Sequence, residues 1–179
     1  MRCVITGHTT GIGKILYTHF VNLGWTVTGI SRSTGFDLEK DLDFIVESSY
    51  NCDLFINNAC VKDAQIKLLN KLHDRVGKMI VMGSIASDYP EQFGEYGINK
   101  AELEDACKKL NQLPGVNILY LKITMLEDAT STDCPIKYAD VLDSITWAIK
   151  NNAVTQIDFG LKATEETKRL IKNKFNISL

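Results

Sequence analysis

Short, almost wholly apolar runs alternate with longer amphipathic ones along the 179 residues, and this alternation limits the fold more than any other feature. Arg2–Thr6 (RCVIT), Trp25–Ile30, Leu54–Asn57, Lys78–Gly83, Val116–Lys122 and Gln156–Phe159 read as strands. Between them apolar residues recur at helical spacing, as Ile15, Leu16, Phe20 and Leu23 do within Gly13–Leu23. Further helices are expected over Asp37–Ser48, Asp63–Arg75, Tyr96–Leu113, Ala139–Lys150 and Thr164–Lys174. Strands that are apolar throughout need cover on both faces, and in a strand–helix alternation that means a parallel sheet. The expected fold class is α/β, a single doubly wound parallel sheet with helices on both faces. The length suits one domain over residues 1–179, with a C-terminal helix from about 163.

Composition removes several function classes. With 45% apolar and 23% charged residues the chain is ordinary for a globular domain, not for a disordered one. A net charge of −2 offers no electrostatic footprint for nucleic acid or an acidic membrane. No apolar run approaches the ~20 residues that span a bilayer. The opening MRCVITGHTTGIG lacks the layout of a signal peptide, so a cytoplasmic protein is expected. The cysteines (Cys3, Cys52, Cys60, Cys107 and Cys134) are odd in number and form no CxxC, which argues against a disulfide framework or a zinc site. Cys3, Cys52 and Cys107 fall in apolar patterns and read as buried thiols. His8, His19 and His73 have no mutual metal spacing, and no metal site is expected.

Doubly wound sheets bind ligands outside the carboxyl ends of their strands. The first strand runs into Thr6-Gly7-His8-Thr9-Thr10-Gly11-Ile12-Gly13, which opens a helix. Glycine lets the backbone reach positive φ and lets a phosphate approach, and the helix start supplies free N–H donors. A glycine-rich turn without a ligand is the bland alternative, but the strand–turn–helix context fits a dinucleotide site formed by Gly7, Thr9, Thr10, Gly11, Ile12 and Gly13. His8 would contribute its backbone. The second strand ends at Ser31-Arg32-Ser33, and no Asp or Glu occurs from Val27 to Phe36. An acid there would take a ribose 2′-hydroxyl, whereas an Arg accommodates a 2′-phosphate. Arg32 and Ser31 therefore argue for NADP(H) over NAD(H). A solvated surface arginine is the competing reading.

At this point the chain resembles the short-chain dehydrogenase/reductase family, as an unusually short member with a Rossmann fold. Thr6-Gly7-x-x-x-Gly11-Ile12-Gly13 resembles its cofactor motif, and Asn57-Asn58-Ala59-Cys60 its Asn-Asn-Ala-Gly motif. Ser84 follows the KMIVMG strand, and Tyr96-Gly97-Ile98-Asn99-Lys100 matches its Tyr-x-x-x-Lys. Gln156–Gly160 is similar to its last strand. The resemblance implies cofactor contacts from Asn58, Ala59, Cys60, Tyr96 and Lys100. Asp37 and Leu38 resemble the acidic-apolar pair near the adenine, although Asp37 also suits the N-cap of the next helix.

The chemistry follows from the residue types. Tyr96 and Lys100 are four apart and share a helix face. A nearby cation stabilises a phenolate and lowers its pKa. Tyr96 can then exchange a proton with a carbonyl or alcohol oxygen while hydride moves to or from nicotinamide. Ser84 can bond and position the same oxygen. Either Ser84 or Ser87 can also cap a turn in GSIAS. The resemblance implies that Lys100 holds the nicotinamide ribose as well.

The chain also departs from the family. Cys60 replaces a glycine and reads as a spectator more readily than as a reactive thiol. The helix before the serine strand offers only Asn70 for the family's fourth catalytic residue, too close to Ser84 for a secure match. The family's Pro-Gly after the sixth strand is absent, and Thr124 is assigned to the nicotinamide side. Met125–Lys137 leaves a short substrate lid, and Ser31–Asp37 has no room for a helix of its own. The expectation is an NADP(H)-dependent oxidoreductase that interconverts a small-molecule carbonyl and alcohol, with Tyr96 as acid/base. The alternative is a non-catalytic NADP(H)-binding sensor or regulatory protein. The resemblance also implies a homodimer or homotetramer, built on Asp63–Arg75 and Tyr96–Leu113.

Overall fold

The computed structural model describes residues 1–124, 126 and 136–159. The expected C-terminal helix, Cys134, Gly160 and most of the expected lid lie outside the described residues. Six parallel strands form one sheet in the order β2-β1-β3-β4-β5-β6. They are β1 (Arg2–Thr6), β2 (Thr26–Ile30), β3 (Leu54–Asn57), β4 (Lys78–Met82), β5 (Ile118–Ile123) and β6 (Gln156–Phe159). The α-helices between them are α1 (Gly11–Asn22), α2 (Leu42–Ser49), α3 (Ala64–Leu72), α4 (Pro90–Leu110) and α5 (Tyr138–Ile149). The doubly wound α/β expectation is met.

Side chains alternate across the sheet and build two cores. Val4, Phe55, Met79, Val81 and Tyr120 face one side, where Ile45, Leu68, Leu69, Leu72, Leu103 and Cys107 of α2, α3 and α4 cover them. Cys3, Ile5, Ile56, Ile80 and Leu119 face the other, under Leu16 and Phe20 of α1 and Val141 and Ile145 of α5. Every residue of β3 and β4 is buried, as a strand covered on both faces requires. Lys78 belongs to that run because its ammonium donates to the Ala148 carbonyl of α5 at 2.8 Å.

Several boundaries differ from expectation for identifiable reasons. α1 ends at Asn22, so Leu23 caps it and is exposed instead of continuing the apolar face. The Ser31–Asp37 connection does hold one 3-10 turn, Arg32–Thr34, closed by Gly35. The second helix starts at Leu42 with Asp41 as N-cap, so Asp37 does not cap it. Asp37 instead accepts a hydrogen bond from the Glu39 amide at 2.8 Å. α4 begins at Pro90 rather than Tyr96, with a break at Gly94 (φ 57°, ψ −140°) that only glycine adopts readily. Cys3, Cys52 and Cys107 are buried free thiols, as expected, while Cys60 is exposed.

Candidate functional site

The strand order reverses between β1 and β3, and a crevice opens where their carboxyl ends part. Thr6 and Asn58 stitch that crevice. The Asn58 and Ala59 amides donate to Thr6 Oγ1 at 2.9 and 3.0 Å. Asn58 Nδ2 donates to the Thr6 carbonyl at 2.9 Å and to the Gly7 carbonyl at 3.2 Å. This pulls the turn after β1 and the segment after β3 into one wall. Gly13 sits where a Cβ would lie 2.1 Å from the Gly7 carbonyl oxygen, so the turn can close on the helix only with glycine there. Thr10 is the N-cap of α1 but makes no side-chain cap bond, and the first turn carries no acid. The helix start therefore presents free donors and uncompensated positive potential.

Two cavities lie along this edge and share Cys60. One, of about 460 Å³, is lined by expected cofactor residues: Gly7, Thr9, Thr10, Ser31, Arg32, Asp37, Leu38, Ala59 and Cys60. Its volume is that of a ligand cleft. Arg32 is exposed, and its guanidinium makes no hydrogen bond or ion pair with a described residue. Ser31 is held by Ser33, whose Oγ lies 2.9 Å from its own. The other cavity, of about 220 Å³, gathers Ile12, Asn58, Cys60, Ser84, Tyr96, Lys100 and Thr124. Gly11 lies on neither wall and faces Tyr138 instead. His8 turns its ring inward, over Gly29 and 5.0 Å from Tyr17.

Ser84, Tyr96 and Lys100 meet as the sequence expects. Ser84 caps the 3-10 turn Ile85–Asp88 by accepting from the Ala86 amide at 3.2 Å, and it lines the same cavity as Tyr96. Ser87 donates to the Ser84 carbonyl at 2.8 Å and to Glu104 at 2.6 Å. The break at Gly94 lets the Pro90–Phe93 turn fold back on Gly97 and sets Tyr96 at the mouth of the cavity, 44% exposed. Lys100, one turn further, is only 3% exposed.

The electrostatics depart from expectation. Partial burial raises the Tyr96 phenol above its ordinary value, against the opposing pull of the Ser84 hydroxyl. Lys100 lies under the tyrosine ring, 5.6 Å from its centroid. Its ammonium donates to Gln65 Oε1 at 2.6 Å and to the Met82 carbonyl at 2.9 Å. Desolvation lowers its proton affinity, against the opposing effect of the Cys60 thiol in the same cavity. A lysine four residues along the helix was expected to lower the phenol, but here it serves other acceptors.

Four polar residues of this region were not anticipated as such. Thr6 lay inside the quoted motif without a role. Asn57, fully buried, donates to the Gln65 carbonyl at 2.8 Å. Gln65 shares the buried face of α3 with Ala64, Leu68, Leu69 and Leu72, a polar residue at apolar spacing that could have been noticed. Glu104 joins Ser87, Lys108 and Lys122 behind the serine loop. Asn70, which the sequence offered without a secure match to the family's fourth catalytic residue, is exposed on the far face of α3. Among the described residues no group of three His, Cys, Asp or Glu side chains could hold a metal, and no helix is long and apolar enough to cross a membrane.

The sequence matches no family model and no curated protein. Solved structures match well. The 3-alpha-hydroxysteroid dehydrogenase from Pseudomonas sp. B-0831, complexed with NADH, has a TM-score of 0.66 at 17% identity, over 100% of both chains. A short-chain dehydrogenase from Streptomyces avermitilis reaches 0.69 at 15% identity, over 97% of this chain and 93% of that one. The 3-ketoacyl-(acyl-carrier-protein) reductase from Brucella melitensis, complexed with NADH, reaches 0.71 at 15% identity, over 88% and 96%. With its six-stranded parallel sheet flanked by helices, the chain shares the fold of these short-chain dehydrogenases/reductases.

Proposed function

We propose that this protein is an NADP(H)-dependent oxidoreductase that interconverts a small-molecule carbonyl and an alcohol. The observation that carries the reading is the meeting of Ser84, Tyr96 and Lys100 in one cavity, beside a glycine-turn cleft. The cleft residues suit a dinucleotide. Gly13 fills a place that a Cβ would block, and the bare first turn of α1 suits a pyrophosphate. Gly7, Thr9 and Thr10 on the cleft wall would hold that pyrophosphate, with Gly11, Ile12 and Gly13 forming the helix start behind them, and Asp37 and Leu38 would lie beside the adenine. Arg32, exposed and unengaged among the described residues, suits a 2′-phosphate together with Ser31. Asn58, Ala59, Cys60, Lys100 and Thr124 would flank the ribose and nicotinamide.

A nicotinamide held there would supply or accept the hydride. Tyr96 donates a proton to the substrate oxygen during reduction, and takes it back during oxidation. Ser84 bonds that oxygen and fixes its distance to the phenol. The raised proton affinity of Tyr96 suits the donor role. We place the protein in the cytoplasm and expect a homodimer or homotetramer through α3 and α4. A second reading, an NADP(H)-binding sensor without turnover, draws on the diversion of Lys100 from the phenol oxygen.

Thermal-shift titration with NADPH and NADH, followed by a carbonyl panel, separates these readings. NADPH should stabilise the protein more than NADH does, and NADPH should be consumed. Tyr96→Phe should lower kcat by about 10²–10⁴-fold while leaving NADPH binding in place. No shift with either nucleotide overturns the cofactor assignment. A fully active Tyr96→Phe overturns the mechanism.

A further inference from the structure

The position of Lys100 depends on a residue with no counterpart among the motifs. Gln65 is 2% exposed in an otherwise apolar helix face. Its Nε2 donates to the Asn57 carbonyl at 2.8 Å and to the Met82 carbonyl at 3.3 Å. Both partners are acceptors, so the amide orientation follows from the network, and Oε1 must be the atom turned toward Lys100. The Gln65 backbone is held too, since its carbonyl accepts from Asn57 Nδ2. The result is a rigid acceptor 2.6 Å from the ammonium, aided by the Met82 carbonyl at 2.9 Å. Cys60 lines the same cavity as Lys100.

We propose that Gln65 is a positioning residue: its amide competes with the Tyr96 oxygen for the Lys100 ammonium, and so keeps Tyr96 in its protonated, proton-donating form. The inference rests on the reading of Tyr96 as the acid/base. A neutral amide is suited to the task because it holds the ammonium without cancelling its charge. Among the described residues, few groups face the pair from neighbouring elements. Ser84 and Cys60 act on Tyr96, and Cys60 and Cys107 act on Lys100. Gln65 on α3 and the Met82 carbonyl of β4 complete the surroundings.

The competition predicts opposite effects for two substitutions of similar size. Gln65→Met removes the competitor, so the ammonium is free to pair with the phenolate. The Tyr96 midpoint should fall by about one pH unit, a roughly tenfold loss of proton affinity. Gln65→Glu supplies a stronger competitor that also cancels the charge, so the midpoint should rise. The readout is tyrosinate ultraviolet absorbance immediately after an alkaline pH jump, with the matching Tyr96→Phe double variant subtracted from each protein. A purely structural role would not give shifts of opposite sign. Midpoints that stay put, or move the same way, overturn the proposal. Should Gln65→Glu fail to fold, the fall in Gln65→Met decides, and should Gln65→Met fail, Gln65→Leu takes its place.

The readout needs no turnover, which separates this inference from the functional reading. Opposite shifts in a protein that never oxidises NADPH would sustain the positioning role and sink the enzyme. Turnover that is lost in Tyr96→Phe, together with unmoved midpoints, would do the reverse.

Discussion

Gly83, the residue before Ser84, is the most informative single position at which to perturb the site. A Cβ built there would lie 2.1 Å from Tyr120 Cζ and 2.3 Å from its hydroxyl. Neither neighbour can retreat cheaply. The Gly83 amide is tied to the Leu121 carbonyl at 2.8 Å, and Tyr120 is only 1% exposed within the core. Overpacking of this kind costs about 1–3 kcal/mol. Alanine also narrows the unfolded ensemble, which returns about 0.4–1 kcal/mol. The net loss for Gly83→Ala is therefore roughly 1–2 kcal/mol, or about 2–8 °C in Tm for a chain of this size. Because the clash sits next to Ser84, turnover should fall more than stability alone explains. The assay is a double-mutant cycle by urea unfolding, with Tyr120→Leu as the second substitution. Leucine removes the ring that meets the new methyl, so the two changes should couple favourably by about 1 kcal/mol or more. Additivity within about 0.5 kcal/mol would refute the steric argument. So would a Gly83→Ala protein that melts where the wild type does.

Two further predictions rest on burial and charge. Cys60 is exposed at the junction of the two cavities, whereas burial shields Cys3, Cys52 and Cys107 and raises their proton affinities, Cys107 to about 12 and Cys52 to about 11. Iodoacetamide at mildly alkaline pH should label Cys60, spare those three, and be slowed by NADPH, as peptide mass spectrometry would reveal. Glu104 is pushed up by burial, but bonds from Lys108, Ser87 and Lys122 more than offset this and hold it below its ordinary 4.5. A depressed carboxyl stabilises the fold at neutral pH, and that contribution fades as pH drops below about 4.5 toward its folded value. Glu104→Gln should cost about 1–3 kcal/mol at pH 7, and the gap to wild type should close in acid, as chemical unfolding across pH would measure.

The legible parts of the fold are those governed by local pattern. β1, β3 and β6 match their apolar runs residue for residue, because nothing else competes for those stretches. The start of α4 was missed because Gly94 interrupts the periodicity, although the chain resumes a helix directly after it. Ser84, Tyr96 and Lys100 were legible because fixed spacing on one strand end and one helix brings them together. The ammonium's actual partner was not. Gln65 lies 35 residues from Lys100 and touches it only because α3 and α4 pack side by side. A lone glutamine in a helix reads as surface until the partner helix is in place. The same holds for Glu104, whose partners Ser87, Lys108 and Lys122 come from a turn, its own helix and β5.

The sheet order has a consequence for how firmly the two ends of the crevice are held. β2 is an edge strand that pairs only with β1, and three of its five residues are partly buried or better, while β3 and β4 are buried throughout. Amide hydrogens should therefore exchange earlier along β2 and the Arg32 turn than along β3 and β4. The protein thus carries a loosely held lip beside Arg32 and a firmly held floor beneath Ser84. A long ligand lying across both would be let go at the Arg32 end first, while the end against Ser84 and Tyr96 is still in place.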